Sequence, residues 1–189
     1  MDMQGYFIIF SLIIMILLVI LRSRLMKAEG IKTFHFGSMD KKDFLIVPFA
    51  LFYFYLIIAN VFGLPKVIGI LSDNAVTAWI GAALCILAPI LFIWGLISFG
   101  QSFRVGIDTD KPGKLITTGA FAVSRNPLYI AFQMILISVF LIFPTWIFFA
   151  YFLLGLWVID RQVCLEETTL KNIYGKEYDD YCNKVRRYI

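Results

Sequence analysis

The sequence predicts an all-α integral membrane protein of about five transmembrane helices, with a helical hairpin split at Pro144 and a C-terminal helical tail. Three observations carry this. The chain is 60% hydrophobic and 16% charged, against about 45–50% apolar and about 25% charged in average soluble domains. Its mean hydropathy is +0.83. Its apolar stretches are near the length of a bilayer crossing, and the basic residues cluster in the segments between them.

The elements follow in order. Gly5–Leu21 is the first span; no basic region precedes it, so it is expected to be retained and not cleaved as a signal peptide. Phe44–Leu64 is the second, with Pro48 near its start and Asn60 to Pro65 as its exit. Ala75–Phe99 is the third, with a kink expected near Pro89. Each approaches the roughly 20 residues needed to cross about 30 Å of hydrocarbon. Between Arg125 and Asp160 lie 34 residues without a formal charge. As one helix, Leu128–Ile159 would be about 48 Å long, beyond the bilayer core. Pro144 sits at its midpoint, where proline breaks a helix. Two arms result, Leu128–Phe143 and Thr145–Ile159, each about 24 Å and somewhat short. The tail Val163–Val185 has Leu165, Leu170, Ile173, Tyr174, Tyr178 and Tyr181 at roughly helical spacing, with a break near Gly175. It is expected to pack on the cytosolic mouth of the bundle.

Charge placement sets the topology. With five spans, Arg22, Arg24, Lys27, Lys32, Lys41, Lys42, Arg104, Lys111, Lys114, Arg125, Arg161, Lys171, Lys176, Lys184, Arg186 and Arg187 share one side, and only Lys66 lies opposite. The positive-inside tendency then puts the N-terminus out and the C-terminus in. The expected location is the cell's inner (cytoplasmic) membrane, with the functional face in the cytosol. Residues 1–189 read as one domain, with the N-terminal spans in 1–96 and the chemistry-bearing part, hairpin included, in 97–189. The net charge of +4 reports topology and does not call for nucleic acid. Cys85, Cys164 and Cys182 have no metal-ligand or redox spacing. One histidine, His35, makes a histidine-based metal site unexpected.

Dense polar signatures flank the charge-free run. Before it stands Ser124-Arg125-Asn126-Pro127-Leu128-Tyr129; after it stand Glu166-Glu167, then Tyr174 to Tyr181 and Arg186-Arg187. If the run folds back on itself, the two meet on one face. Alone, Arg125 and Tyr129 suit interfacial anchors, and Pro127 suits the first position of a helix. Functionally, Arg125 can hold an anionic group through a forked ion pair. A glutamate there suits ribose hydroxyls, an amino group or a cation, but when buried it needs a partner such as Arg104, Arg186 or Arg187. The loop Gly113–Phe121 has two glycines but neither P-loop nor dinucleotide-binding spacing.

The ordered series resembles the isoprenylcysteine carboxyl methyltransferase family, a relative of the phospholipid methyltransferases. It runs Gly100-Gln101-Ser102-Phe103-Arg104-Val105-Gly106-Ile107-Asp108, Leu115 to Gly119, Ser124 to Tyr129, an apolar hairpin, Glu166-Glu167, Tyr174-Gly175-Lys176-Glu177-Tyr178, Tyr181 and Val185-Arg186-Arg187. The resemblance covers Ile97 to Ile189. It implies a small membrane enzyme that uses S-adenosylmethionine. Arg125, Asn126, Pro127 and Tyr129 match the family's Arg-His-Pro-x-Tyr motif, Glu166 and Glu167 its paired glutamates, Arg187 its late arginine, and Leu115 and Gly119 a loop lying against the cofactor. These, with Arg104, form the implied site: Arg187, Arg104 and Glu167 for catalysis, the others and Glu167 for the cofactor. Asn126 stands where the family has histidine, so no imidazole base acts there; the final arginine lacks its usual following proline.

The implied reaction is methyl transfer to a lipophilic, membrane-borne or prenylated acceptor, with membrane lipids as surroundings. A carboxylate acceptor needs no base near pH 7; a phospholipid amine, thiol or polyketide lipid would draw on Glu166 or Glu167. The contrasting readings are a sterol-type reductase using NADPH and a non-enzymatic membrane scaffold.

Overall fold

The computed structural model of the chain describes residues 3–28, 46–64, 71, 74–100 and 113–189. The start of the second span at Phe44, Lys32, His35, Lys41, Lys42, Lys66, Lys111 and the segment 101–108 with Arg104 lie outside these residues. Among the described residues there are six α-helices and no strand. They are α1 (Met3–Ala28), α2 (Ile46–Val61), α3 (Ala75–Phe99), α4 (Pro127–Ile142), α5 (Trp146–Tyr174) and α6 (Lys176–Cys182).

α1, α3 and α5 are long and apolar enough to cross a membrane by length and composition. α2 and α4 have 16 residues each and are shorter. Large apolar side chains face outward around the bundle, among them Ile97 (72% exposed), Leu51 (66%) and Trp157 (65%). An apolar outer surface of this extent is at home in lipid and not in water, and the protein is an integral membrane protein.

The third span coincides with α3, which continues through Pro89 as one helix. Asn74 starts it by accepting from Val76 N at 2.9 Å, and Gly100, at φ 52°, ends it. α1 is longer than the apolar run suggests, because Arg22 and Arg24 end the hydrophobic stretch but not the helix. The hairpin breaks where proline requires. Thr145 caps α5, its Oγ1 accepting from Phe148 N at 3.4 Å, while Pro144 O accepts from Leu71 N at 2.7 Å.

The second arm differs from expectation. α5 does not end at Ile159 but runs 29 residues to Tyr174, about 44 Å. No glycine or proline lies between Trp157 and Tyr174, so the appearance of charge at Asp160 marks a polar boundary without stopping the helix. The break comes at Gly175, at φ 52°, as expected.

α3 packs most extensively on α4, α1 covers both, and α5 lies along α4. The α3–α4 approach depends on Gly81. A Cβ there would lie 2.9 Å from the Ser138 carbonyl oxygen and 2.9 Å from Ile142 Cγ1. Small residues of this kind let membrane helices meet closely. Because one obstacle is backbone, Gly81→Leu is expected to destabilise by about 1–3 kcal/mol, measured as a lowered melting temperature in detergent.

The core continues inward through Ile57, Cys85, Phe92, Val139 and Phe148, all essentially buried. α2 reaches α5 through an aromatic cluster, with Tyr53 stacked on Tyr151 at 5.0 Å.

Candidate active site

Pro127 opens α4 at its first turn, where its missing N–H leaves no hydrogen bond unmade. Immediately before it, Ser124, Arg125 and Asn126 turn toward the C-terminal tail. Arg125 N donates to Arg186 O (3.0 Å), Ser124 Oγ to Arg187 O (3.1 Å), and Asn126 Nδ2 to Arg187 O (3.2 Å). The Arg125 guanidinium donates through Nη1 to the carbonyls of Cys182 (3.2 Å) and Val185 (3.1 Å). Three consecutive residues thus bind four carbonyls of the tail.

Glu167, on α5, sits at the centre. Its Oε1 accepts from Arg125 Nε at 3.0 Å and from Asn126 Nδ2 at 3.3 Å. Its Oε2 accepts from Arg187 Nε at 3.0 Å and Nη2 at 2.9 Å. The side chains of Glu167 and Arg125 are each 12% exposed, and that of Arg187 is 39% exposed. The carboxylate these arginines hold here is therefore the protein's own. The hydrogen bond to Glu167 raises the Arg187 pKa above its ordinary value. Asp160 takes a second, longer contact from Arg187 (3.8 Å) and accepts from Tyr188 OH (2.9 Å).

Asn126 fits this position for a definite reason. It is 8% exposed and faces two acceptors, the Glu167 carboxylate and the Arg187 carbonyl. An amide NH2 carries two hydrogens and serves both from one atom. Asn126 precedes α4 but its side chain makes no capping bond within the helix.

Glu166 points to a different partner. Its Oε1 accepts from Tyr129 OH at 2.6 Å and, weakly, from Gln162 Nε2 at 3.5 Å. The neighbouring glutamates thus face different groups, as adjacent helical positions must.

The loop ahead of α4 is anchored from two sides. Gly119, at φ +63°, begins a single 3-10 turn, Gly119–Ala122. A Cβ on Gly119 would lie 2.3 Å from Ser98 Oγ, which accepts from Ala120 N at 3.0 Å. Leu115 is half-buried in the loop leading to this turn. Tyr174 OH donates to Gly113 O (3.2 Å), and Tyr181 OH donates to Phe121 O (2.7 Å) in a buried setting. Burial pushes the hydroxyls of Tyr178 and Tyr181 well above the usual phenol range; both stay protonated near neutral pH, and Tyr181 acts as a donor. Tyr181→Phe is expected to lower stability by about 1 kcal/mol, seen as a smaller melting-temperature loss than for Gly81→Leu.

The structure thus brings Arg125, Asn126, Glu167 and Arg187 into one cluster, with Tyr129 and Glu166 beside it and Gly119 on the adjoining loop. Sequence reasoning did not assign Ser98, Ser124, Asp160, Gln162 or Tyr188. Only Gln162 left a usable signal, standing four residues before Glu166 and hence on its face of the helix.

These features define a small helical membrane protein with a largely buried ion cluster where a helical hairpin meets its tail. The family model of phospholipid methyltransferases matches residues 76–177, more than half the chain. The chain belongs to that family. The match begins at Val76, so it includes α3, which the motif series starting near Ile97 leaves out. Proteins described as probable protein-S-isoprenylcysteine O-methyltransferases from Oryza sativa subsp. indica and japonica are each 25% identical over 118 residues. Those alignments cover 61% of this chain and 62% of each rice protein. A protein-S-isoprenylcysteine O-methyltransferase of Tribolium castaneum is 27% identical over 119 residues, 56% of this chain and 39% of that protein. The chain therefore spans less than two thirds of the length of these curated relatives.

Proposed function

We propose that the chain transfers a methyl group from S-adenosylmethionine to a lipophilic acceptor held in the membrane. The observation that carries this reading is the convergence of the Arg125-Asn126-Pro127-x-Tyr129 motif with Glu166-Glu167, in a chain of this methyltransferase family. The groups present suit such a donor: a carboxylate that already accepts from a phenol can accept from ribose hydroxyls or an amino group.

When bound, S-adenosylmethionine supplies a methyl group on a sulfonium, already activated toward displacement. The protein's tasks are then orientation and exclusion of water. Glu166, Tyr129, Asn126 and Pro127 would hold the donor, with Leu115 and Gly119 of the loop beside it. Glu167 and Arg125 hold the tail in register. Arg187, partly open to solvent, and Arg104, assigned by its motif alone, receive the acceptor's anionic group. We take the acceptor to be a carboxylate, which needs no general base at neutral pH because it is already ionised.

The same reading has five spans, with the N-terminus outside and the site at the cytosolic face of the cytoplasmic membrane. It keeps sixteen of the 17 Lys and Arg on one side. α2 and α4, at about 24 Å, cross with local thinning of the bilayer.

The experiment is calorimetric titration of the purified, detergent-solubilised chain with S-adenosylmethionine. Saturable heat is expected, weakened in Arg125→Ala and Glu167→Gln. No heat at millimolar ligand from folded protein would falsify the enzymatic reading. Incorporation of labelled methyl into an N-acylated S-farnesylcysteine, but not into phospholipid, would fix the acceptor as a carboxylate; the converse would make it a lipid amine.

A further inference from the structure

α5 carries a second polar group on the face of Glu166. Gln162 stands one turn earlier, its Nε2 directed at Glu166 Oε1 at 3.5 Å. Its other amide atom, Oε1, is sealed from solvent and has no hydrogen-bond partner. Among the described residues three other buried side-chain atoms share that condition, Arg22 Nε, Ser23 Oγ and Tyr53 OH, and none of them is on α5. A sealed acceptor left unpaired is costly, because it has given up its water without gaining a donor. The Glu166 carboxylate can only accept when ionised, and Tyr129 directs its proton at Glu166. Gln162 as a whole is only half-buried.

A carboxylate and an amide oxygen four residues apart on one helix face form a pair of acceptors. Their complement is a group with several donor hydrogens, an ammonium or a vicinal diol. S-adenosylmethionine carries both. We propose that Gln162 contacts the methyl donor, its Oε1 accepting an N–H or O–H beside Glu166, and helps to select the ligand. This rests on the S-adenosylmethionine reading above.

The test uses the full chain in detergent and two stable probes. S-adenosylhomocysteine has both donor groups, whereas 5′-methylthioadenosine lacks the amino-acid portion. Gln162→Met removes the acceptor at similar length, Gln162→Ala removes it at a helix-compatible site, and Gln162→Glu keeps it. Affinities are compared among variants whose unliganded melting temperatures match the parent. The Met or Ala variant is expected to bind S-adenosylhomocysteine about tenfold more weakly, the effect of one lost hydrogen bond, while Glu retains binding. If 5′-methylthioadenosine binding is unchanged by the same replacement, the donor group is the ammonium; an equal loss assigns it to the nucleoside. Parent-like binding of both probes by the Met and Ala variants overturns the proposal. So does a Glu variant as weak as Met, which would mean that Gln162 acts only by steering Glu166 through its N–H. A parent protein that binds neither probe overturns the broader methyltransferase reading instead.

Discussion

Glu167→Ala lowers stability by about 3 kcal/mol, near the lower end of the range for breaking a buried ion pair from one side. The reason lies mainly with Arg125. Its side chain is as buried as that of Glu167 and keeps two carbonyl partners, but it loses its carboxylate partner among the described residues. Arg187 is more exposed and can turn to Asp160 or to water, so its share of the loss is smaller. Arg187→Ala alone is accordingly expected to cost about 1 kcal/mol, as partly exposed pairs do. Thermal melting of the two variants in the same detergent checks the ranking. Equal losses would mean that the clamp acts through the tail arginine and not through the one at the start of α4.

The second large effect is Asn126→Asp. The replacement is nearly isosteric, yet it removes the two hydrogens donated to Glu167 Oε1 and Arg187 O, which keep only Arg125 Nε and Ser124 Oγ, and puts a second carboxylate at that spot. Two buried acceptors facing a third are expected to cost about 2–3 kcal/mol at neutral pH. The pH dependence has a definite sign. Crowding against Glu167 raises the folded-state pKa of the new carboxyl above its unfolded value of about 3.9. The unfolded state then holds fewer protons than the folded one, so the penalty is full at high pH and shrinks as pH falls through the raised value. Melting temperatures taken from pH 8 downward should narrow the gap to the parent. A gap that is constant, or that widens on acidification, would show that the two carboxylates do not meet.

Much of the fold was legible because its determinants are local. Pro144 separates the two arms of the hairpin and Gly175 turns the tail, although Pro89 leaves α3 unbroken. The full extent of α5 was not legible, because loss of hydrophobicity at Asp160 was read as the end of a helix when it marks only a change of surroundings. The site was legible as a set of residue types: Arg125, Asn126, Glu167 and Arg187 do meet. Their division of labour was not. Which neighbour Glu166 faces, and that Glu167 satisfies both arginines, depends on the rotation of α5 about its axis. That rotation is fixed by contacts as distant in sequence as Leu136 against Gly155. Gln162 and Ser98 draw their meaning from such contacts and carry no motif of their own.

The continuity of α5 has a mechanical consequence. Glu167 lies 21 residues along the same unbroken helix from Trp146, so its height is set about 32 Å from the hairpin turn. The helix acts as a rigid ruler between the hairpin turn and the ion cluster. A bilayer that changes thickness, or a tilt of that one rod, moves Glu166 and Glu167 together against the start of α4. The depth at which the polar groups meet the lipid is therefore a property of the membrane as much as of the chain.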